Sequence, residues 1–394
     1  MGIFIFIFAF IIRVIVQYKL GAFVHPQTWE YEQAVNSFFT GRGLACDIYG
    51  TTYYSLLTPL YPAICILVYY FTAHSFFAME IIQALVSSSI CIVIFLIAAR
   101  IFGKKTGFLA AILTVLHPGL VIYTAKLHPL VFDSLLICLV AWLLIRAREL
   151  PGTLPQLKLG LTFGLSILTR STMLLFLPFS WLWLIKGSKK KFLLYIFICL
   201  LTILPWIIRN YMIYKKITIV SSSANVFWRG NNPLATGTSL AASGKPMLEE
   251  AKGMMDKIYG KSELEQNRIF WEESLHFIKA NPGKFTKLFM KKFFYFLWFA
   301  PTTGSEYKKE WLLPYMIFYS LSLFFGLIGL IAIRRLPFSL QYDSFIIIIL
   351  ILIIGFAQSL FYVETRHRWA IEPLFLIFSA RGLISVFEIR RRKT

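Results

Sequence analysis

Eleven apolar runs divide this chain and restrict it to folds that a lipid bilayer can surround. In order, they lie near residues 2–17, 57–71, 78–101, 108–123, 130–145, 157–169, 172–185, 192–208, 312–333, 344–362 and 370–387. Because 58% of the residues are hydrophobic and only 15% are charged, a soluble domain could not cover so much apolar surface. Several runs are shorter than the roughly 20 residues that cross a bilayer, so flanking residues must complete them. The pattern predicts an all-α polytopic membrane protein.

Clusters of lysine and arginine predict the orientation of the spans. The run at 57–71 is short and has Pro59 and Pro62 in its first turns. If this run does not span, every strong basic cluster falls on one side, which the positive-inside rule assigns to the cytoplasm. The clusters are Lys104-Lys105, Arg146/Arg148, Lys186 with Lys189-Lys190-Lys191, Arg334-Arg335 and Arg390-Arg391-Arg392-Lys393. We therefore expect about ten transmembrane helices, cytoplasmic termini, and a re-entrant or interfacial helix at 57–71 on the outer face.

This topology divides the chain into three regions. Residues 1–208 form an N-terminal transmembrane region that contains a first outer loop at 18–77. Residues 209–311 form a long extracytoplasmic segment, and residues 312–394 form a C-terminal transmembrane region. The formal charge of +21 is spread in short clusters between apolar runs, so it points to membrane lipids and not to nucleic acid.

The long outer segment has its own helical pattern. Helices are expected from residue 247 to about 259 and from 262 to about 280, and the sequence Ser262-Glu263-Leu264-Glu265 resembles a capping box. After Pro282, phenylalanine and leucine recur at helical spacing beside four lysines. That pattern predicts a basic amphipathic helix in the membrane interface, where anionic head groups would be attracted to it.

The first outer loop carries the most informative polar stretch, HPQTWEYE at 25–32. Two carboxylates and two aromatic rings at a membrane surface are costly to hold beside lipid, so the cluster indicates a site. Glu30, Glu32 and Asp47 could each take a proton from an acceptor hydroxyl. Arginines at the outer ends of spans could hold a phosphate, because a guanidinium binds phosphate oxygens bidentately. These arginines are Arg170, Arg209, Arg366 and Arg368.

An ordered set of motifs then resembles a known superfamily. The motifs include HPQTWEYEQAVNSFFTGRGL (25–44), TPLYP (58–62), YTAKLHPLVFD (123–133), GLSILTR (164–170), PWIIRNY (205–211), FWRGNNPLATG (227–237) and ETRHRWAIEP (364–373). Together they resemble the polyprenyl-phosphate-dependent GT-C glycosyltransferases, which include protein O-mannosyltransferases and bacterial aminoarabinose transferases. The resemblance implies an inner-membrane bacterial enzyme that moves a hexosyl- or pentosyl-type sugar from a polyprenyl-phosphate donor to an extracytoplasmic acceptor. The acceptor would be a lipid, a glycan or a surface structure, and the reaction a single inverting displacement.

The resemblance also suggests roles for particular residues, with one departure. Relatives usually carry an aspartate where this chain has Gln27, and an amide cannot act as a carboxylate base. Glu30 is then the preferred base, with Asp47 or Glu32 as alternatives and catalytic loss also open. His128 stands where some relatives have an acidic residue, and its imidazole could bond a sugar or assist proton transfer. The candidate substrate-binding residues are Gln27, Tyr31, Arg209, Asn210, Asn231, Asn232, Arg366 and Arg368. A divalent metal assists some GT-C enzymes, and none is assumed here.

Two other functions remain open from the sequence. A transporter or flippase of lipid-linked glycans would carry polar residues at mid-bilayer and interrupted spans in matching halves, whereas the polar residues here concentrate at the outer ends. A catalytically degenerate relative that binds lipid-linked sugar or serves as a scaffold has Gln27 as its main support. Substitution of Glu30 would distinguish the two, because it would abolish sugar transfer by an enzyme and would remove no such activity from a degenerate relative.

Overall fold

The computed structural model describes residues 1–150, 152–184, 189–303 and 309–391. Of the basic residues used to predict topology, Lys186, Arg392 and Lys393 lie outside these ranges. The described chain is almost entirely helical. Its only sheet, within the described ranges, is a two-stranded hairpin in the first loop.

The N-terminal part begins with one long helix and then a compact loop. Its elements are α1 (Gly2–Lys19), α2 (Glu30–Phe39), β1 (Cys46–Ile48), β2 (Thr51–Tyr53) and α3 (Leu60–Thr72). The strands pair antiparallel, with Asp47 opposite Thr52, and the turn residues Tyr49 and Gly50 both have positive φ angles. Such a turn matches the twist of a tight hairpin. With 13 residues, α3 is too short to cross a bilayer upright. Its predicted place in the interface stays a prediction.

The middle of the chain forms most of the membrane bundle. Its helices are α4 (Phe76–Phe102), α5 (Lys104–Val115), α6 (Pro118–Tyr123), α7 (Leu130–Glu149), α8 (Leu154–Thr169), a 3-10 turn (Ser171–Phe176), α9 (Leu177–Leu184) and α10 (Lys189–Tyr214). At one end of α7, Arg100 pairs with Glu149, and Arg148 lies 2.8 Å from the buried Asp343. At the other end lies Asp133, roughly 24 Å from Glu149 at a rise of about 1.5 Å per residue. The basic cluster and the polar loops therefore occupy opposite ends of the bundle.

The outer segment and the last helices complete the fold. They are α11 (Ser223–Gly230), α12 (Met247–Glu250), α13 (Lys252–Ile258), α14 (Glu263–Ala280), α15 (Pro282–Leu297), α16 (Lys309–Ala332), α17 (Phe338–Ser359), α18 (Thr365–Trp369) and α19 (Glu372–Arg391). The predicted capping box is confirmed, since Ser262 and Glu265 bond each other's main-chain N–H groups at the start of α14. Helices α16 and α19 approach so closely that a Cβ on Gly382 would lie 1.8 Å from the carbonyl oxygen of Phe325. Small residues at such crossings are typical of packing between membrane helices.

The prediction of an all-α polytopic membrane protein is confirmed. Six helices in the described part are long and apolar enough to cross a membrane, namely α1, α4, α7, α10, α17 and the segment Glu310–Arg335. The other predicted spans coincide with helices that are shorter or more polar. A large core of buried apolar side chains from α4, α7, α8, α17 and α19 holds the bundle together. The division into three regions stays a prediction.

Candidate active site

A cavity of about 640 Å³ lies where the first loop, the outer segment and the polar ends of the membrane helices meet. The first loop contributes Trp29, Glu30, Tyr31 and Tyr49. The loop before α7 and the ends of the membrane helices contribute His128, Asp133, Arg170 and Gln358. The outer segment and the turn before α19 contribute Asn225, Arg229, Tyr362, Glu364, Arg366 and His367. These residues come from segments more than 300 positions apart in sequence, so the cavity exists only once the chain is folded.

Glu30 occupies the first position of α2 and lines the cavity. Its side chain is exposed, and its carboxylate has no hydrogen bond or ion pair with any residue that the structure describes. The thiol of Cys46 donates to the Glu30 carbonyl oxygen at 3.4 Å and so ties this helix start to β1. A negative side chain at a helix N-terminus also interacts favourably with the helix dipole. Glu30 is thus positioned by its main chain and leaves its carboxylate available.

The two alternative bases, Glu32 and Asp47, lie outside the cavity lining. Glu32 accepts a hydrogen bond from the Tyr69 hydroxyl at 3.1 Å and pairs with His74 at 2.8 Å. Asp47 accepts two bonds from Arg42, at 2.9 and 3.0 Å, on the exposed side of β1. Because successive side chains of a strand point to opposite faces, its neighbour Ile48 lines the cavity while Asp47 faces water. The structure therefore places Asp47 outside the cavity lining, and its catalytic role stays a prediction.

His128 lies at the centre of an aromatic cluster on the cavity wall. Its ring centroid is 5.0 Å from that of Trp29, 5.1 Å from Tyr123 and 6.0 Å from Tyr31. Burial, followed by the nearby charges of Arg366, Lys126 and Arg170, holds the His128 pKa well below its ordinary value. Its Nδ1 accepts the main-chain N–H of Leu130 at 3.1 Å, which assigns the proton of the neutral ring to Nε2. His128 is therefore a hydrogen-bond donor and a poor base.

Three carboxylates and three arginines line the cavity, and four of the six groups form ion pairs. Asp133 lies 2.6 Å from Arg170, whose Nη1 also approaches the Gln358 side chain at 3.5 Å. Glu364 lies 2.5 Å from Arg366. Among these six cavity groups, Glu30 is the one carboxylate without an ion pair to a described residue. Arg229 is the one arginine without such a pair. The sequence gives no sign that Arg170 is paired, and Arg229 is not among the residues that it predicts for the site.

Two predicted substrate-binding residues, Tyr31 and Arg366, line the cavity. Burial, and next the charge of Glu30, raise the pKa of Tyr31, so its hydroxyl stays protonated. Gln27 is exposed and lies outside the lining. Its main chain forms a parallel bridge with Lys126, and its carbonyl oxygen accepts the Leu127 N–H at 3.0 Å. Position 27 thus fastens the first loop to the loop that carries His128.

Four other predicted substrate-binding residues hold the outer segment in place and do not line the cavity. Arg209 donates to the Tyr54 carbonyl at 2.6 Å, and the buried Asn210 donates to Ser55 Oγ at 3.0 Å. Asn231 and Asn232 are also buried. Their amide groups donate to the carbonyl oxygens of Phe227, Leu360 and Trp228 at 2.7–2.8 Å. The three asparagine amides and one nitrogen of Arg209 thus bond within the protein, and direct substrate contact by these four residues stays a prediction.

Arg368 is also buried away from the cavity, in a dense polar network. Its Nε donates to Glu372 at 2.5 Å, and its Nη1 donates to the carbonyl oxygens of Phe296 and Trp298 at 3.0 and 2.6 Å. Its guanidinium lies 3.6 Å from the ring centroid of Tyr319. No surface remains for a phosphate. The contacts of Arg368 are all internal, and its predicted role in binding substrate stays a prediction that this environment does not support.

The described residues do not fit a metal centre. No three histidine, cysteine, aspartate or glutamate side chains in the described part of the chain lie close enough together to hold a metal ion. Two of the cavity carboxylates are already paired with arginines, and position 27 supplies an amide outside the cavity.

The fold and the cavity are those of a polytopic membrane protein, and the predicted resemblance to the GT-C superfamily is confirmed by a family match over part of the chain. Residues 57–208 match the family described as dolichyl-phosphate-mannose-protein mannosyltransferase. No curated protein matches the chain significantly.

Among solved structures, the apo oligosaccharyltransferase of Archaeoglobus fulgidus has a similar fold, with a TM-score of 0.59 and 12% sequence identity. The alignment covers 98% of this chain and 50% of the archaeal chain. The same archaeal enzyme bound to an inhibitory peptide and a dolichol-phosphate gives a TM-score of 0.55 at 13% identity, covering 98% of this chain and 50% of that one. ArnT from Cupriavidus metallidurans, bound to undecaprenyl phosphate, overlaps less closely, with a TM-score of 0.43 at 10% identity over 93% of this chain and 76% of that one. The chain therefore spans about half the length of the archaeal enzyme, and the similarity concerns the fold.

Proposed function

We propose that this protein transfers a sugar from a polyprenyl-phosphate donor to an acceptor hydroxyl in the cavity, with Glu30 as the general base. The observation that carries the proposal is the state of Glu30. It is the one cavity carboxylate outside an ion pair in the described chain, and it is open to solvent. A general base must keep its carboxylate available within reach of the proton that it takes. The family match supports glycosyl transfer, and one structure of the archaeal enzyme with the same fold contains a dolichol-phosphate.

The reaction is a single displacement at the anomeric carbon. Glu30 takes the proton of the acceptor hydroxyl as that oxygen bonds to the anomeric carbon, and the bond between this carbon and the phosphate oxygen breaks. Polyprenyl phosphate leaves with the bonding electrons, the anomeric configuration inverts, and the proton remains on Glu30 until water removes it. Arg366 lies in the same cavity and stabilises the charge that develops on the leaving phosphate.

The aromatic wall supplies the other contacts in this proposal. Trp29 and Tyr31 offer ring faces to the sugar, and the His128 Nε2–H donates a hydrogen bond to a sugar hydroxyl. The donor sugar is of the hexosyl or pentosyl type, and the acceptor is a lipid, glycan or surface structure. The basic clusters of the sequence support a bacterial inner-membrane location with the cavity on the extracytoplasmic face.

The test is sugar transfer in membranes that contain the wild type, Glu30→Gln or Glu272→Gln. Glu272 is an exposed glutamate on α14, outside the cavity, and serves as the matched control. A panel of radiolabelled polyprenyl-phosphate sugars is offered with cell-envelope acceptors. We expect Glu30→Gln to lower the rate by about 100-fold or more, the usual contribution of a general base, and Glu272→Gln to leave it unchanged.

Retention of the wild-type rate by Glu30→Gln would refute its role as base. A further variant, Gln27→Asp, tests whether the natural protein has lost its catalytic group. Transfer that appears only in Gln27→Asp would show a degenerate relative, and the proposed activity would then be wrong for the natural chain.

A further inference from the structure

Arg229 has an arrangement unlike that of the other cavity arginines in the described chain. Arg170 and Arg366 each face a carboxylate, whereas Arg229 has neutral partners only. Its Nε donates to Asn225 Oδ1 at 3.1 Å, and its Nη2 donates to the Tyr49 hydroxyl oxygen at 3.0 Å. A guanidinium has five N–H groups, so three remain without an acceptor in the described protein. Glu364 is near enough to act on Arg229 electrostatically but is already paired with Arg366.

The end of α11 holds Arg229 against the cavity wall. Its neighbour Gly230 packs so closely on the turn before α18 that a Cβ there would lie 2.1 Å from the carbonyl oxygen of Phe361. The Gly230 carbonyl oxygen accepts the buried Lys292 ammonium at 3.1 Å, and Asn231 Oδ1 accepts the same group at 3.0 Å. This explains why the Gly-Asn-Asn sequence after Arg229 is buried. The contacts of Gly230 and Asn231 fix the main chain from which the Arg229 side chain extends.

Tyr49 is held just as firmly on the opposite side. It occupies the left-handed region with φ +49°, which is uncommon for any residue except glycine. Its carbonyl oxygen accepts the Gly260 N–H at 3.0 Å and the Gln266 side chain at 3.3 Å, while its hydroxyl accepts from both Arg229 and Asn225. Main-chain strain of about 1–3 kcal/mol persists where the surroundings impose it, commonly at ligand sites. The hairpin turn is thus conformationally strained at Tyr49, the residue whose hydroxyl accepts from Arg229.

We propose that Arg229 binds the phosphate group of a substrate through its three open N–H groups. The carboxylate nearest in effect to Arg229, Glu364, is already paired with Arg366, so a partly buried guanidinium is left with unfilled hydrogen-bonding capacity that an anionic ligand would use. Charge-assisted, forked hydrogen bonds to phosphate oxygens are the strongest that a guanidinium forms. The phosphate belongs either to the lipid carrier, in which case the inference rests on the proposed function, or to a phosphorylated polar acceptor.

The test measures binding to the purified full-length protein in detergent by titration calorimetry, with no acceptor and no turnover. The probes are farnesyl phosphate, for the lipid carrier, and glucose 6-phosphate, for a polar phosphomonoester. The variants are Arg229→Met, Arg229→Lys and Tyr49→Phe. Arg268→Met is the matched control, because Arg268 is an exposed arginine of α14 outside the cavity.

We expect Arg229→Met to weaken binding of the recognised phosphate by about 10- to 100-fold, the range for hydrogen bonds to charged groups. Arg229→Lys keeps the charge but loses the fork, so it should show a smaller loss, and Tyr49→Phe a smaller loss again. Arg268→Met should bind like the wild type. Weakened binding of farnesyl phosphate identifies the lipid carrier as the source, and weakened binding of glucose 6-phosphate alone identifies an acceptor.

Unchanged binding of both probes by a folded Arg229→Met protein would overturn the inference. If that variant does not fold, unchanged binding by both Arg229→Lys and Tyr49→Phe would overturn it as well. Because binding is measured without transfer, the two proposals fail separately. A wild type that binds phosphate through Arg229 but transfers no sugar refutes only the proposed function.

Discussion

The buried network around Arg368 gives the sharpest prediction about stability. Arg368 and Glu372 are both about 3% exposed and lie 2.5 Å apart. The Tyr315 hydroxyl donates to the same carboxylate at 2.5 Å, and His117 contacts its other oxygen. Arg368→Met removes the guanidinium and leaves Glu372 with the Tyr315 hydroxyl and His117 as partners, and it also leaves the carbonyl oxygens of Phe296 and Trp298 without their donor.

The cost of this substitution follows from the charge that stays buried. Removal of one partner from a buried ion pair typically costs about 3–5 kcal/mol, because the other charge remains uncompensated in a medium of low polarity. Replacement of both partners by apolar side chains removes that penalty. We therefore expect Arg368→Met to lower the free energy of unfolding by about 3–5 kcal/mol, and Arg368→Met/Glu372→Met to lower it by clearly less than the sum of the two single changes.

The measurement is denaturant-induced unfolding in detergent, followed by tryptophan fluorescence, for the four proteins of this double-mutant cycle. Arg268→Met on the exposed face of α14 serves as the control and should differ by less than about 0.5 kcal/mol. If Arg368→Met costs below about 1 kcal/mol, or if the two substitutions are additive, then the pair is not coupled as the structure indicates and the reasoning is wrong.

Two further predictions concern the support of Arg229. Burial lowers the pKa of Lys292 to about 7, so between pH 7 and 10 the unfolded chain binds this proton and the folded chain does not. The free energy of unfolding therefore rises with pH across that window by up to about 1.4 kcal/mol per pH unit. Below pH 7 both states bind the proton, so Lys292 causes no change of stability with pH there. The difference in unfolding free energy between the wild type and Lys292→Met should change with that slope, and a constant difference from pH 7 to 9 would contradict it. Gly230→Ala should cost about 1–3 kcal/mol through its clash with Phe361, and it should weaken farnesyl phosphate binding by displacing Arg229. Wild-type stability and binding in that variant would refute the packing argument.

Much of the fold could be predicted from hydropathy because membrane helices satisfy their main-chain hydrogen bonds locally. The described part of each apolar run is mainly helical, although 108–123 divides into two helices and 172–184 into a 3-10 turn and a helix. The capping box at Ser262 appears as expected, since its partners are three residues apart. The first-loop hairpin was not predicted. Its strands have three residues each, and their pairing is too short to leave a clear alternating pattern.

The sequence by itself determined the apolar helices and the polar first loop, because composition and local spacing carry that information. Glu30, Tyr31, His128 and Arg366, which the sequence and its resemblance to the GT-C superfamily predict for the site, all line the cavity. Only the tertiary structure decided which charges remain available. The bond from Arg229 to Tyr49 joins residues 180 positions apart, and Arg170 meets Asp133 across 37. Charged side chains look alike in a sequence, and their chemistry depends on whether folding gives them an internal partner. Arg368 acquires a carboxylate and becomes internal, whereas Glu30 and Arg229 acquire none and face the cavity.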